Sequence, residues 1–362
     1  MPEYLAPGVY IEELPFEGHP IEGVSTSTAG FIGLLGRGPV VLAITSFADF
    51  ERSAGPNPSV DLALAMRGFF ENGGQRCYLS GVGPTDPLEA GLEALASENV
   101  SIVCCPDERN FPNAAGIMAA YCEKHKDRMC ILQSPQPVVP DSSHQVPVHS
   151  SNAAYYYPWL TVTGLDGVTA VTIPPGGHIA GMYARTDSTM GVWKAPAGVP
   201  IIGVKSLSTN INTTESDVLT SRGINVVRSF PNQGVLVWSA RTTSEDPEWR
   251  YVNVRRLLIF IEQSLRQGLQ WAVLEPNGPA LWENIRAASE NFVSALWRSG
   301  ALMGHKPEEA YFVRCDQTTM SQTDIEMGRV VVILGIAPIR PQEFINVRIT
   351  CQTQASSVSS RP

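Results

Sequence analysis

Two pairs of adjacent carboxylates are the groups here best suited to chemistry. Asp107-Glu108 and Glu308-Glu309 each set two acids side by side, the composition that general acid–base work requires. The first pair follows a strand-like run and the second precedes one, so turn and capping roles compete with catalysis. The histidines are His19, His125, His144, His149, His178 and His305, and none pair as HxxxH or HExxH. No metal centre is suggested. His144 and His149 fall in a Pro/Ser-rich stretch and read as solvated loop residues. Gly33-Leu-Leu-Gly36-Arg37-Gly38 approaches a dinucleotide fingerprint only loosely and reads as the turn ending a strand, and no GxxxxGK[ST] occurs. Gly23-Val-Ser25-Thr-Ser27 lacks the second glycine of a nucleophile elbow. The seven cysteines are odd in number and form no CxxC, which reads as reduced, buried thiols. No catalytic residue, cofactor or metal ligand is expected.

A denser polar cluster is Asp246-Pro-Glu-Trp249-Arg250-Tyr251-Val-Asn253-Val-Arg255-Arg256. It opens a helix pattern in which Val254, Leu257, Leu258, Ile261, Leu265 and Leu269 share a face. Two arginines in a first helical turn oppose the helix dipole. An anion must offset them, from the same chain, a neighbouring subunit or a ligand.

The elements that position these groups alternate. Strand patterns at 29–35, 77–82, 100–105, 129–132, 154–163 and 234–240 are interleaved with helical spacing at 61–72, 87–96 and 113–125, and a short helix is expected near 179–183. Residues 193–227 read as strands and turns, and 134–152 as a surface loop. This rhythm argues for an α/β layer structure. The C-terminal third holds helices at 254–271 and 279–299, the second with Pro279 in its first turn and Gly300 at its C′ position, then strands at 309–315 and 328–336.

At 362 residues the chain has room for about two domains. Charged residues are 17% of it, below the usual quarter or so, which fits a chain that buries surface against its own copies. The net charge of −9 argues against a nucleic-acid partner. Apolar runs such as 257–261 are far shorter than the ~20 residues of a membrane span, and the opening MPEYLAPGVYIEELP lacks the pattern of a secretory signal. Both ends carry a strand isolated by prolines: 8–14 in an acidic arm with five glutamates and no Lys or Arg, and 344–351 in a segment of net charge +2. A lone strand must pair with something. From spacing alone, pairing within the chain and between chains are equally open.

The chain resembles the contractile tail sheath family. The stretches that carry the resemblance are Tyr4–Glu13 (YLAPGVYIEE), Ile179–Asp187 (IAGMYARTD), Gly191–Ala197 (GVWKAPA), Gly223–Asn225 (GIN) and Trp238–Thr242 (WSART). They continue with Trp249–Leu257 (WRYVNVRRL), Trp271–Asn277 (WAVLEPN), Leu281-Trp282, Gly328–Val332 (GRVVV) and Ala337–Phe344 (APIRPQEF). The resemblance implies an α/β (α+β) sheath core with a mixed sheet, flanking helices and strand arms that add to neighbouring subunits. It implies a homo-oligomer of stacked six-fold rings around an inner tube protein, bounded by baseplate and terminal cap proteins, with no cofactor, no nucleic acid and no membrane insertion. The polymer would assemble in the bacterial cytoplasm as part of a phage tail or a released contractile particle. It would shorten from a metastable extended state and drive the tube onward.

The organisation implied is an arm at 1–22, an outer and middle domain at 23–240, an inner domain at 241–337, a linker strand at 338–353 and a tail at 354–362. Val9, Tyr10, Ile11, Glu12 and Glu13, with Phe344, Ile345, Asn346, Val347, Arg348 and Ile349, are the expected inter-subunit strand residues. Gly18, Pro20, Gly23, Pro338 and Pro341 are the expected hinges. Arg286, Arg298 and Lys306 are expected to hold the inner tube. The competing readings are an α/β enzyme with an unrecognised site and a static tube or shell protein.

Overall fold

The computed structural model describes residues 19–341 and 343, apart from 37, 39, 137 and 142. The expected strand residues Val9, Tyr10, Ile11, Glu12, Glu13, Phe344, Ile345, Asn346, Val347, Arg348 and Ile349, and the expected hinge Gly18, lie outside the described residues.

Strands β1 (Ala29–Leu34) and β2 (Val40–Ile44) precede helices α1 (Phe47–Ser53) and α2 (Val60–Glu71). Ser46 and Ser59 start these helices, each side chain accepting the backbone N–H three residues on, which supplies a partner the first turn otherwise lacks. The alternation continues through β3 (Cys77–Val82), α3 (Leu88–Ala94), β4 (Ile102–Cys104), α4 (Ala114–His125), β5 (Met129–Gln133) and β6 (Ala153–Tyr157). Then come β7 (Leu160–Thr163), β8 (Ala170–Ile173), α5 (Gly176–Met190), β9 (Val204–Leu207), α6 (Thr213–Ser221), β10 (Ile224–Phe230) and β11 (Gly234–Val237).

Eight of these strands form one sheet in the order β11-β10-β6-β5-β4-β1-β3-β2. The run from β10 to β3 is parallel, and the two edge strands are antiparallel to their neighbours. Alternate side chains feed two cores. Phe31, Ile102, Ile131 and Tyr156 pack with α2 and α5, whereas Ile32, Val103, Leu132 and Tyr155 pack with α3, α4 and α6. A sheet covered on both faces must be apolar on both, so its strands read as unbroken apolar runs. Strands β8-β7-β9 form a separate antiparallel sheet whose Leu160, Val162 and Ile173 join the first core.

Three local expectations are corrected. The short helix near 179–183 is the 15-residue α5. Its glycines lower helix propensity and disguise it, yet they let it touch α2 directly. A methyl group at Gly177 would sit 2.4 Å from the Ala65 carbonyl oxygen, and one at Gly181 2.3 Å from that of Phe69. Residues 193–227 contain α6, started by an Asn212–Glu215 capping box. The run 154–163 is two strands, β6 and β7, parted at Pro158, which has no N–H to give a ladder.

The C-terminal part comprises α7 (Val252–Gly268), α8 (Pro279–Arg298), α9 (Pro307–Ala310), β12 (Tyr311–Arg314), α10 (Gln322–Glu326) and β13 (Ile333–Ile336). Gly300 follows α8 with φ of +86°, the conformation expected of a helix-ending glycine. β12 and β13 pair antiparallel as a two-stranded ribbon. One cluster joins Leu257 and Ile261 of α7 to Phe292, Val293 and Leu296 of α8, and a second joins Leu281, Trp282 and Ile285 to Cys315 and Met320. Val252 reaches instead into the core of the large sheet, so α7 spans both halves. Among the described residues no helix is long and apolar enough to cross a membrane.

Candidate assembly site at the roots of the two arms

Three of the four carboxylates that could have done acid–base chemistry hold turns, and the fourth, Glu308, is exposed. Asp107 accepts the Leu34 N–H at 2.8 Å and the Ser59 hydroxyl at 2.7 Å. It thereby ties the end of β1 to the start of α2 and fills the crevice where strand order reverses, between β1 and β4. Open α/β sheets bind ligands at such a crevice. Glu108 accepts the Gln133 N–H at 3.1 Å, and burial pushes its carboxyl up to about 7. Glu309 accepts the His305 N–H at 2.9 Å across the turn that leads into the short α9. His144 corrects the solvated-loop reading. It is buried, with Nε2 2.9 Å from the Tyr155 hydroxyl. His149 is exposed, as a loop residue should be. The six described cysteines are all buried free thiols.

The two arginines at the start of α7 find their partners inside the chain. Arg256 donates to both oxygens of Asp187 at 2.8 and 2.6 Å, and to the Thr26 carbonyl at 2.9 Å. Its guanidinium also lies 4.7 Å from the centre of the Tyr183 ring. The Arg256 and Asp187 side chains are 3% and 4% exposed, so the anion the helix start required is the carboxylate of Asp187 on α5. Arg255 donates to Asn152 Oδ1 at 3.3 Å and stacks over Trp249. Burial holds its pKa below the ordinary arginine value.

This cluster also anchors the first arm. Thr26 is held by Arg256, and the Val24 N–H donates to Ser264 Oγ at 3.1 Å. Ile21 packs into the α7–α8 core, and His19 stacks on Trp271 with ring centres 4.4 Å apart. Residues 19–26 therefore run along α7. Of the expected hinges here, Pro20 is exposed, while Gly23 lies against Phe260, where a methyl would sit 2.8 Å from Cζ.

The second arm leaves from the other end of the same helix. Arg241 donates to both oxygens of Glu343 at 2.9 and 2.6 Å, and the Tyr251 hydroxyl donates to Glu343 Oε2 at 3.3 Å. The pairing with Glu343 holds the Arg241 pKa above its ordinary value. Asn253 Nδ2 donates to the Ile339 carbonyl at 3.0 Å and to that of Trp193 at 2.9 Å. Further in, Met303 N–H donates to the Ala337 carbonyl and Ala337 N–H to that of Ala310, both at 2.8 Å. Pro338 sits inside this ladder, bridged to Leu302, and Pro341 lies beyond it.

Of the residues expected to hold a tube, Arg286 is closed into its own helix. It pairs with Glu283 at 2.5 Å and with Glu290 at 2.6 Å. Arg298 and Lys306 are exposed and make no ion pair among the described residues. The structure thus brings Arg286 together with two acids rather than with Arg298 and Lys306. Asp187, Arg241 and Glu343 were not picked out as site residues in the sequence. The unbalanced positive charge at the start of α7 signalled the need for Asp187, and all three lie in stretches that resemble sheath proteins.

Comparison with known proteins places these pairings in context. The model for the phage tail sheath protein central domain matches residues 82–243, and that for the phage tail sheath C-terminal domain matches 244–352. The tail sheath protein of Vibrio phage KVP40 is 25% identical over 179 residues, which are 48% of this chain and 26% of that protein. The chain therefore spans about a quarter of that relative's length. The anti-feeding prophage helical sheath in its contracted state is 33% identical with a TM-score of 0.81, covering 96% of this chain and 99% of the other. The contracted PVC sheath of an extracellular contractile injection system is 30% identical with a TM-score of 0.81, covering 97% and 98%.

Proposed function

The chain belongs to the phage tail sheath family, and we propose that it is the repeating subunit of a contractile sheath that polymerises around an inner tube and shortens to drive it. The observation that carries this reading is that both arms are rooted on one buried helix, α7, at opposite ends. A body with two strands leaving from fixed points is a link that can be joined to others without dissolving its own core. The near full-length likeness to compact extracellular injection sheaths favours a released particle over a large phage tail.

The arms at 1–18 and 344–362 then add strands to neighbouring copies. The acceptor we assign is the β12–β13 ribbon, whose strands pair only with each other among the described residues. It exposes 49% of Phe312 and 43% of Ile333, and a two-stranded ribbon gains stability from a third strand. Bending on contraction falls before the root at Val24, at Gly18 and Pro20, and at Pro341, between the Ile339 and Glu343 anchors, where the Arg241–Glu343 pair has to release. Subunits move as rigid bodies between two packings, and the work comes from the free-energy difference between them. No catalytic step is assigned. Six-fold ring order, baseplate and cap contacts, and cytoplasmic assembly before release belong to the same proposal.

The test is negative-stain electron microscopy of the full chain beside a form lacking residues 1–18. Ridged hollow cylinders from the full chain are expected, and only folded monomers from the shortened one. Normal cylinders from the shortened form refute the arm linkage. Monomers from both, even with the tube protein present, refute the sheath reading.

A further inference from the structure

A cleft of about 240 Å³ opens at the carboxyl ends of β4, β5 and β6, away from the arm roots and unused by the assembly reading. We propose that it binds a small aromatic carboxylate, held between the N-terminus of α4 and the hydroxyl of Ser134.

The anion end is built by the backbone. α4 has 12 residues and no side-chain cap at its start, where Asn113 takes a left-handed φ of 54°. Ala114 and Ala115 of its first turn line the cleft. Uncapped first-turn N–H groups and the helix dipole favour negative charge there. A separate observation points to the same occupant. Ser134 lines the cleft, is 2% exposed, and its Oγ has no hydrogen-bond partner among the described residues. A buried hydroxyl left unpaired costs about 1–3 kcal/mol, which a ligand acceptor would recover. The backbone of Ser134 is fixed in advance. The Ser134 N–H donates to the Tyr156 carbonyl at 3.1 Å, and its carbonyl accepts from Trp159 Nε1 at 2.6 Å.

The rest of the lining suits a flat apolar body. Phe111, Tyr155 and Trp159 supply aromatic wall. Arg109 stands at the rim, 5.4 Å over the Trp159 ring and paired with Asp61 at 2.7 Å. Glu108 also borders the space, and with its carboxyl raised to about 7 it offers a proton toward a bound carboxylate as readily as a charge against it. The volume is that of about eight waters, enough for one substituted ring. Inorganic phosphate would leave the walls unfilled, and a neutral amide would leave the helix terminus without its anion.

Titration of the full-length protein with benzoate, benzamide and inorganic phosphate, followed by ligand-observed NMR, tests this. Saturable benzoate binding is expected, about tenfold or more tighter than benzamide or phosphate. Ala115→Glu places a carboxylate in the first turn, where it favours the helix and repels the ligand. It should weaken benzoate about tenfold or more with no loss of thermal stability. Ser134→Ala should weaken it about three- to tenfold. Equal affinity for benzamide overturns the anion assignment, and equal affinity for phosphate overturns the aromatic one. Absence of saturable benzoate binding below ~10 mM, or an Ala115→Glu variant that binds like the parent, overturns the site.

Discussion

The α5–α7 contact and the C-terminal root use the same chemistry in different surroundings. Each is an arginine giving two hydrogen bonds to one carboxylate, at 2.8 and 2.6 Å for Arg256–Asp187 and 2.9 and 2.6 Å for Arg241–Glu343. The first pair is 3% and 4% exposed, the second 12% and 17%. Arg256 also takes a carbonyl and the face of an aromatic ring, whereas Arg241 and Glu343 border an open groove. Breaking a fully buried pair strands a charge where water cannot reach it. Breaking one at a groove lets water replace the missing partner. Burial thus makes one pair a lock between the two halves of the body and the other a latch on the segment proposed to bend.

That contrast sets the order of expected effects. Arg256→Met should cost about 3–5 kcal/mol of folding stability, because Asp187 is left buried and unpaired, as read by urea unfolding of the unassembled protein. A loss under about 1 kcal/mol would break the comparison. Glu343→Gln keeps hydrogen-bonding capacity and leaves Arg241 bonded to the Thr220 carbonyl, so its cost to the monomer should be only about 1 kcal/mol. The latch reading nonetheless expects shorter sheaths by electron microscopy. Equal monomer losses in the two variants would erase the distinction.

The carboxylates of the large sheet sharpen it from another side. Burial raises Glu108 from an ordinary 4.5 to about 7 and Asp61 from 3.8 to about 6. Folded-state values raised in this way mean that stability is fully present below the unfolded values. It is lost as pH rises through about 6 to 7. Glu108→Gln should flatten that decline by on the order of 1 kcal/mol between pH 5 and pH 8, measured by urea unfolding at both. An unchanged slope would show that Glu108 ionises without cost.

The smallest expected effect is Arg286→Ala, which opens an exposed trio with Glu283 and Glu290 and should leave the urea unfolding midpoint nearly unchanged. The tube-holding proposal rests on Arg298 and Lys306 instead. Reversing both charges should slow tube-templated assembly while spontaneous sheaths still form. The same defect from Arg286→Ala would return Arg286 to the contact.

Much of this was legible in the sequence. The apolar runs of β1, β3, β4 and β5 were readable because the sheet is buried on both faces, and α2, α7 and α8 because their apolar residues recur at helical spacing. What stayed hidden was concealed by close packing or by distance. α5 is rich in glycine because its backbone touches α2, and the same glycines weaken its helical signature. His144 sits in a Pro/Ser stretch that folds back onto the tyrosines of β6 and is buried there. Arg241 and Glu343 both lay in stretches that resemble sheath proteins, as did Asp187 and Arg256. A spacing of 102 residues along the chain for one pair and 69 for the other says nothing about contact. The demand for an anion near Arg255 and Arg256 could be inferred from the helix dipole. Its source could be settled only by the fold.

Helix α7 has a mechanical consequence. Asn253 grips the outgoing segment and Ser264 the incoming one, eleven residues or about 16 Å apart on a single rod. A pull entering at one end leaves at the other along the helix axis, the stiffest direction the backbone offers. In the proposed polymer, tension would run along α7 and touch the eight-stranded sheet at β10, where Asn225 holds Arg241. Most of that sheet then lies beside the load line rather than in it, free to change its surface without slackening the chain of links.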